Sequence, residues 1–271
     1  MTIDKEVVRR SGMMLQGDSI PDRMVISLKG KNALYKGDLM MLEMIDQCNW
    51  ERPIYVALTV GSENYMNLGD NFIQEGLASR ISPFTTNAQG AKNFDTEKAY
   101  KNLMTRDKYG GVEQKGIYLD ETVTRMCLTH RRLFSTLANH LIEEGKRDQA
   151  LKALDYCQKV LPDYNVPHTY NSALFGSIDM AKSYAMLGEK KKAQAIIDQV
   201  FKDAHQYMQF YLSLSSPTMF GYQQDIMRTM YVMNFCVETA DMVDTKYADQ
   251  LLKTLNADGE AYQRKGGQLY N

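Results

Sequence analysis

Apolar positions recur at helical spacing between residues 129 and 201, and the same arrangement occurs twice. In the first copy Phe134, Leu137, Ala138 and Leu141 mark one helix. Gly145 turns the chain, and Ala150, Leu154 and Cys157 mark a second helix that Pro162 stops. In the second copy Met180, Ala181 and Tyr184 precede Gly188, and Ala193, Ile197 and Val200 follow it. His205 stands where a proline would end that helix, so it is expected to run to about Leu214. A third, degenerate copy spans about Phe220 to Tyr262, with Phe235, Cys236, Ala248, Leu252 and Leu255 and with Val243-Asp244 in place of the turn glycine. Small residues at Ala138 and Ala150 let paired helix backbones approach while larger neighbours interlock. The pattern is close to that of tetratricopeptide hairpins. Ala150, Ala193 and Ala248 lie 43 and then 55 residues apart, more than the regular period of about 34, so insertions separate the copies. Stacked hairpins of this kind bind partners more often than they catalyse.

Upstream, the pattern changes. A turn is expected around Gly17-Asp18 and Ile20-Pro21. Met24–Leu28 reads as a short buried strand, and Asp38 as the cap of a helix to about Cys48 with Leu39, Leu42, Met44 and Ile45 as its apolar residues. Asn49–Pro53 breaks that helix, and Ile54–Leu58 reads as a second strand, giving an expected βαβ crossover. Phe72–Ala78 reads as a helical turn, Leu77–Ile81 as a third strand and residues 84–94 as a polar loop. Asp95 is expected to cap a helix to about Thr105, Tyr109–Gly116 to connect flexibly, and Asp120 to cap a long helix reaching Glu144. The expected fold class is α+β, mostly α: a small mixed α/β lobe over 1–94, a helix and linker over 95–117, and tetratricopeptide-like repeats over 118–271.

Composition changes this picture little. With 44% apolar and 24% charged residues the chain is ordinary for a globular protein, and a net charge of -1 argues against a broad nucleic-acid footprint. No apolar run reaches eighteen residues, and the first fifteen residues hold no apolar signal core, which leaves a cytoplasmic protein or a piece of a longer one. Cys48, Cys127, Cys157 and Cys236 form no CxxC pair, and Cys157 and Cys236 sit where the repeats want small buried side chains.

Little of the sequence points to chemistry. No glycine-rich phosphate loop or nucleophile motif is present. His140 with Glu143 and Glu144 and the His130-Arg131-Arg132 run read as ordinary helix residues, His168 and His205 have no visible partners, and the Asp18/Asp22 pair carries no signal. Met40-Met41 and Met227/Met230/Met233 read as core. Neither a catalytic residue nor a metal or cofactor site is expected. A peptide groove is expected instead on the first helices of the hairpins, lined by Arg132, Ser135, Asn139, Lys182 and Met186; an amide, a hydroxyl and two cations suit peptide carbonyls or a carboxylate.

Three phrases carry a family resemblance: Tyr35–Leu42, Asn49–Ala57 (N-W-E-R-P-I-Y-V-A) and Gln74–Pro83 (Q-E-G-L-A-S-R-I-S-P). They resemble the soluble C-terminal part of large multi-pass membrane proteins of Bacteroidetes, whose membrane part is related to GT-C-type protein O-mannosyltransferases and whose tails end in tetratricopeptide-like helices. The resemblance implies a non-catalytic accessory domain on the periplasmic side, partnered by its own membrane domain and by a polypeptide acceptor, and carries over no catalytic residue. The alternatives are a free-standing cytoplasmic repeat scaffold and, third, a hydrolase in the α/β lobe.

Overall fold

The computed structural model of the chain describes residues 1–15, 19–85 and 93–268. The expected Gly17-Asp18 turn, Asp18 itself and the centre of the 84–94 loop lie outside those residues. The chain divides into two compact units, Met1–Asp107 and Lys108–Asn271, and the fold class is α+β, mostly α.

In the first unit, α1 (Lys5–Arg10) is capped by Asp4, and α2 (Lys36–Cys48) is followed by a sheet of β1 (Tyr55–Ala57), β2 (Phe72–Gln74) and β3 (Ala78–Ile81). The strand order is β1-β3-β2 and both pairings are antiparallel, with Val56 opposite Ser79 and Ile73 opposite Arg80. The expected βαβ crossover is therefore corrected to an antiparallel sheet. Phe72–Gln74, expected as a helical turn, is a strand because Glu75-Gly76-Leu77 folds it back on β3, with Gly76 at φ +130°. Three residues are too few for either period to show in sequence.

Met24–Leu28 is not a strand. The Met24 amide donates to the Met1 carbonyl at 2.9 Å, and the Asn67 amide group takes the Ser27 and Lys29 carbonyls at 2.8 and 3.1 Å. Those contacts leave no ladder to join.

Helix α2 begins two residues before Asp38, whose Oδ2 accepts the Tyr35 amide at 2.9 Å. Only Ile45 of its expected apolar residues is buried. The helix ends at Asn49 and Trp50, both left-handed at φ 40° and 63°. Asparagine tolerates that conformation, and it delivers the Trp50 ring into a core with Ile45, Met66, Leu68 and Ile73.

Residues 95–107, expected in the linker, belong to the first unit. Asp95 caps α3 (Thr96–Lys101), accepting the Lys98 amide at 3.0 Å.

The second unit is three helical hairpins in succession. Asp120 caps α4 (Glu121–Glu143), which pairs with α5 (Arg147–Val160). Short α6 (Tyr170–Ser172) and a π-helical turn, Ala173–Ser177, lead to α7 (Ile178–Leu187), which pairs with α8 (Lys190–Ser213). Short α9 (Ser216–Phe220) precedes α10 (Gln223–Asp241), which pairs with α11 (Thr245–Arg264). Ala138, Ala150, Leu154, Cys157, Ala181, Tyr184, Ala193 and Ile197 are fully buried, as the repeat pattern expects.

Gly145 and Gly188 close their helices identically. The glycine amide donates three residues back and the next amide five residues back, Lys146 to Leu141 and Glu189 to Tyr184; φ values of 76° and 87° supply the left-handed step. The third turn has no glycine, and Asp244 caps α11 instead by accepting the Tyr247 amide at 3.1 Å. Leu252, expected inside, is exposed on this last helix.

The 109–116 connection is fastened rather than free. Tyr109 stacks among His130, Phe134 and Tyr156, and Asn165 Nδ2 donates to the Val112 and Gln114 carbonyls at 2.7 Å.

One contact escaped the pattern. Gly176 sits against the backbone of α4, so that a Cβ there would lie 2.6 Å from Arg132 Cα, and its φ is +94°. The turn glycine Gly188 has open space around it. Gly176→Ala is therefore expected to cost on the order of 1–3 kcal/mol or more through overpacking in addition to the left-handed strain that Gly188→Ala also carries. Urea unfolding of both variants measures the difference, and equal losses would show that α4 and the π-turn are not in this contact.

Candidate functional site

The first helices of the hairpins stand side by side, α7 touching both α4 and α10. Arg132 and Lys182 are exposed on α4 and α7, and Met186 is partly exposed near the end of α7, where its carbonyl accepts from Arg147 Nη2 at 2.8 Å. Asn139 lies half-buried at the junction of α4 and α7, its Oδ1 accepting from Ser183 Oγ at 2.6 Å.

Ser135 does not join them. It is buried, and its hydroxyl lies 2.9 Å from the Gly176 carbonyl and 3.1 Å from the Arg131 carbonyl. It fastens the π-turn to α4, and the sequence could not show this because the turn has no helical period.

Beneath that face lies a polar cluster that the sequence reading passed over. Arg131 is fully buried, and among the described residues no carboxylate lies within ion-pair distance of it. Its Nη1 donates to the Pro167 carbonyl at 3.3 Å and to Ser177 Oγ at 3.4 Å, and its Nη2 to the Val166 carbonyl. Its Nε has no hydrogen-bond partner. Burial pulls the guanidinium pKa down. His168, also buried, places Nδ1 2.9 Å from Ser177 Oγ and Nε2 3.3 Å from Gln158 Oε1.

Geometrically His168 and Ser177 resemble a base and a nucleophile. Burial, with help from the Arg131 charge, pushes the His168 pKa down to about 3. So weak a base does not draw a proton from a serine hydroxyl near neutral pH, and both side chains are sealed from solvent. The cluster ties the 161–177 connection to α4.

A second polar cluster lies in the first unit, and it joins two of the three family phrases. Tyr55 donates to Glu75 Oε2 at 2.7 Å, and Lys98 Nζ reaches Glu75 Oε1 at 2.8 Å and Asp95 Oδ2 at 3.0 Å. The Arg80 guanidinium lies 5.6 Å from the centre of the Tyr55 ring, and its Nη1 donates to the Ser11 carbonyl at 3.3 Å. Burial first, then the Glu75 carboxylate, hold the Tyr55 pKa above its ordinary value, so the phenol keeps its proton. Tyr55 comes from N-W-E-R-P-I-Y, and Glu75 and Arg80 from E-G-L-A-S-R. Two cations against two carboxylates form a balanced network that locks the β2–β3 turn onto α3.

Among the described residues, no group of three or more His, Cys, Asp and Glu stands together as a metal site, and no helix is long and apolar enough to cross a membrane.

Residues 1–98 match the family model TMEM260-associated domain 2. The match ends within α3, close to the end of the first unit, and takes in all three phrases that carry the resemblance. TMEM260 is an O-mannosyltransferase-like protein, and the matched part of the chain is similar to the TMEM260-related family. No curated protein and no solved structure matches the chain.

His168 sets the sign of one acid response. Its folded pKa, about 3, lies below the ordinary 6.5, so between these values the unfolded chain binds the extra proton and stability falls as pH drops. The slope is at most about 1.4 kcal/mol per pH unit. Urea unfolding of wild type and His168→Gln from pH 7 to 4 should show the wild type losing stability faster. Parallel curves would mean that His168 is not held neutral.

Proposed function

We propose that this chain is a non-catalytic accessory domain of a TMEM260-related membrane protein, and that its tetratricopeptide-like hairpins hold a polypeptide acceptor or protein partner near the membrane domain, on the periplasmic side. The match of residues 1–98 to a TMEM260-associated domain carries the reading. The hairpin row supports its binding half. Arg132 and Lys182 offer cations to acidic positions, and the amide nitrogen of Asn139 suits a peptide carbonyl. Met186 adds an adaptable apolar contact. Ser135 has no part in the groove.

The test is a titration of extended acidic peptides against wild type and an Asn139→Ala, Lys182→Ala double variant. Ser183 keeps the Asp179 carbonyl as a partner at 2.8 Å, so the variant is expected to fold. Loss of one neutral and one charge-assisted contact should weaken binding by roughly tenfold or more. Equal binding removes the groove from the argument, and turnover of a glycan or a sugar donor by the purified wild-type chain removes the non-catalytic reading.

A further inference from the structure

The run Met24–Leu28 is expected inside the molecule, but only Met24 is buried and Ile26 half-buried. Val25 is 86% exposed, and nearby Tyr35 is 75%, Leu39 53% and Met40 55% exposed, with Leu28 and Leu34 also outside. A run of exposed apolar side chains at such density marks a contact surface.

Their exposure does not come from slack. Asn67 holds the Ser27 and Lys29 carbonyls. The Lys31 amide donates to the Leu28 carbonyl at 3.1 Å, and Lys31 Nζ reaches Asp38 Oδ1 at 2.9 Å. Asp38 in turn accepts the Tyr35 amide. Ile26 and Leu42 turn inward against the core, which leaves Val25 and Leu39 outside. The edge is built to present these groups.

Its charge tells what it faces. Residues 25–41 carry three lysines and one aspartate, and Glu43 and Asp46 follow one and two turns beyond Leu39 on α2. Lys31 is paired with Asp38, and Lys29 and Lys36 stand exposed among the apolar side chains. Aliphatic side chains and a tyrosine interleaved with unpaired lysines suit the zone between acyl chains and anionic headgroups, where lysine stems lie along apolar surface and their ammonium groups reach phosphate. A purely apolar protein groove would leave those ammonium groups without an anion.

We propose that the Val25–Met40 edge of the first unit docks into the headgroup layer of a bilayer containing anionic lipids. Val25, Leu28, Leu34, Tyr35, Leu39 and Met40 enter the layer, and Lys29 and Lys36 meet the phosphates. The proposal deepens the accessory-domain reading and rests on it for the presence of a membrane.

The experiment is co-sedimentation of the full chain with phosphatidylcholine vesicles, with and without phosphatidylglycerol. Wild type should bind the anionic vesicles, and less so as salt rises. Val25→Ser with Tyr35→Ser should lower the partition coefficient about tenfold, and Lys29→Gln and Lys36→Gln about fivefold each. All of these positions are exposed, and unchanged emission from the single, buried Trp50 reports an intact first unit. Absence of wild-type binding overturns the proposal, as does binding that neither set of variants alters. Self-association of the free chain that Val25→Ser and Tyr35→Ser abolish, without vesicle binding, reassigns the edge to a second copy and also overturns it. The Asn139→Ala, Lys182→Ala variant should bind vesicles like wild type. Failed vesicle binding beside successful peptide binding removes this edge alone, whereas the reverse removes the peptide groove and leaves the edge.

Discussion

Small residues stand at the buried contacts between helices of the second unit, and the arrangement of that unit follows from this. Ala138, Ala150, Ala153, Ala181 and Ala193 are all fully buried, at positions where a larger side chain would force paired helices apart. Gly176 takes the same constraint to its limit, because there even a methyl group collides with backbone and not with a side chain that can move aside. Once the π-turn lies on α4, the Val166 and Pro167 carbonyls come within reach of Arg131, and Ser135 meets the Gly176 carbonyl. The buried cation is tolerable because carbonyl dipoles and hydroxyls replace water around most of its donors.

The hairpins were legible because helical pairing writes itself into sequence at fixed intervals. Gly145 and Gly188 announce left-handed turns, and Asp95 and Asp120 announce helix starts. Where one residue did two jobs, the sequence was silent. Ser135 has the spacing of a groove residue, but its hydroxyl serves the Gly176 carbonyl. Arg131 sits in a run with His130 and Arg132 that looks solvated, yet among the described residues it is the most deeply buried charge. The sheet was half legible. β1 and β3 carry strand-like runs, whereas β2 is fixed only by the turn at Gly76 and by its partner. Met24–Leu28 has the apolar character of a strand, but only Met24 is buried and Ile26 half-buried.

Balance of charge differs between the two polar clusters. In the first unit, Glu75 and Asp95 meet Arg80 and Lys98, and the network is neutral. In the second, Arg131 and a neutral His168 share hydroxyls and carbonyls, and among the described residues no carboxylate lies within ion-pair distance of the guanidinium. Removing one member of the first cluster would leave an unmatched charge under the β2–β3 turn. In the second cluster, losing the arginine would leave orphaned carbonyls instead, a milder fault in kind.

The thiols have a use beyond packing. Burial holds Cys157 and Cys236 protonated, with pKa values near 12, and raises that of Cys127. Alkylating reagents attack the thiolate, so these three side chains react only when the helices around them separate. Cys48 is partly exposed on α2 and accepts a label first. The native chain thus carries its own chronometer: one cysteine to anchor a dye in the first unit, and three whose rates of modification time the opening of the second, Cys127 and Cys157 for its first hairpin and Cys236 for its third.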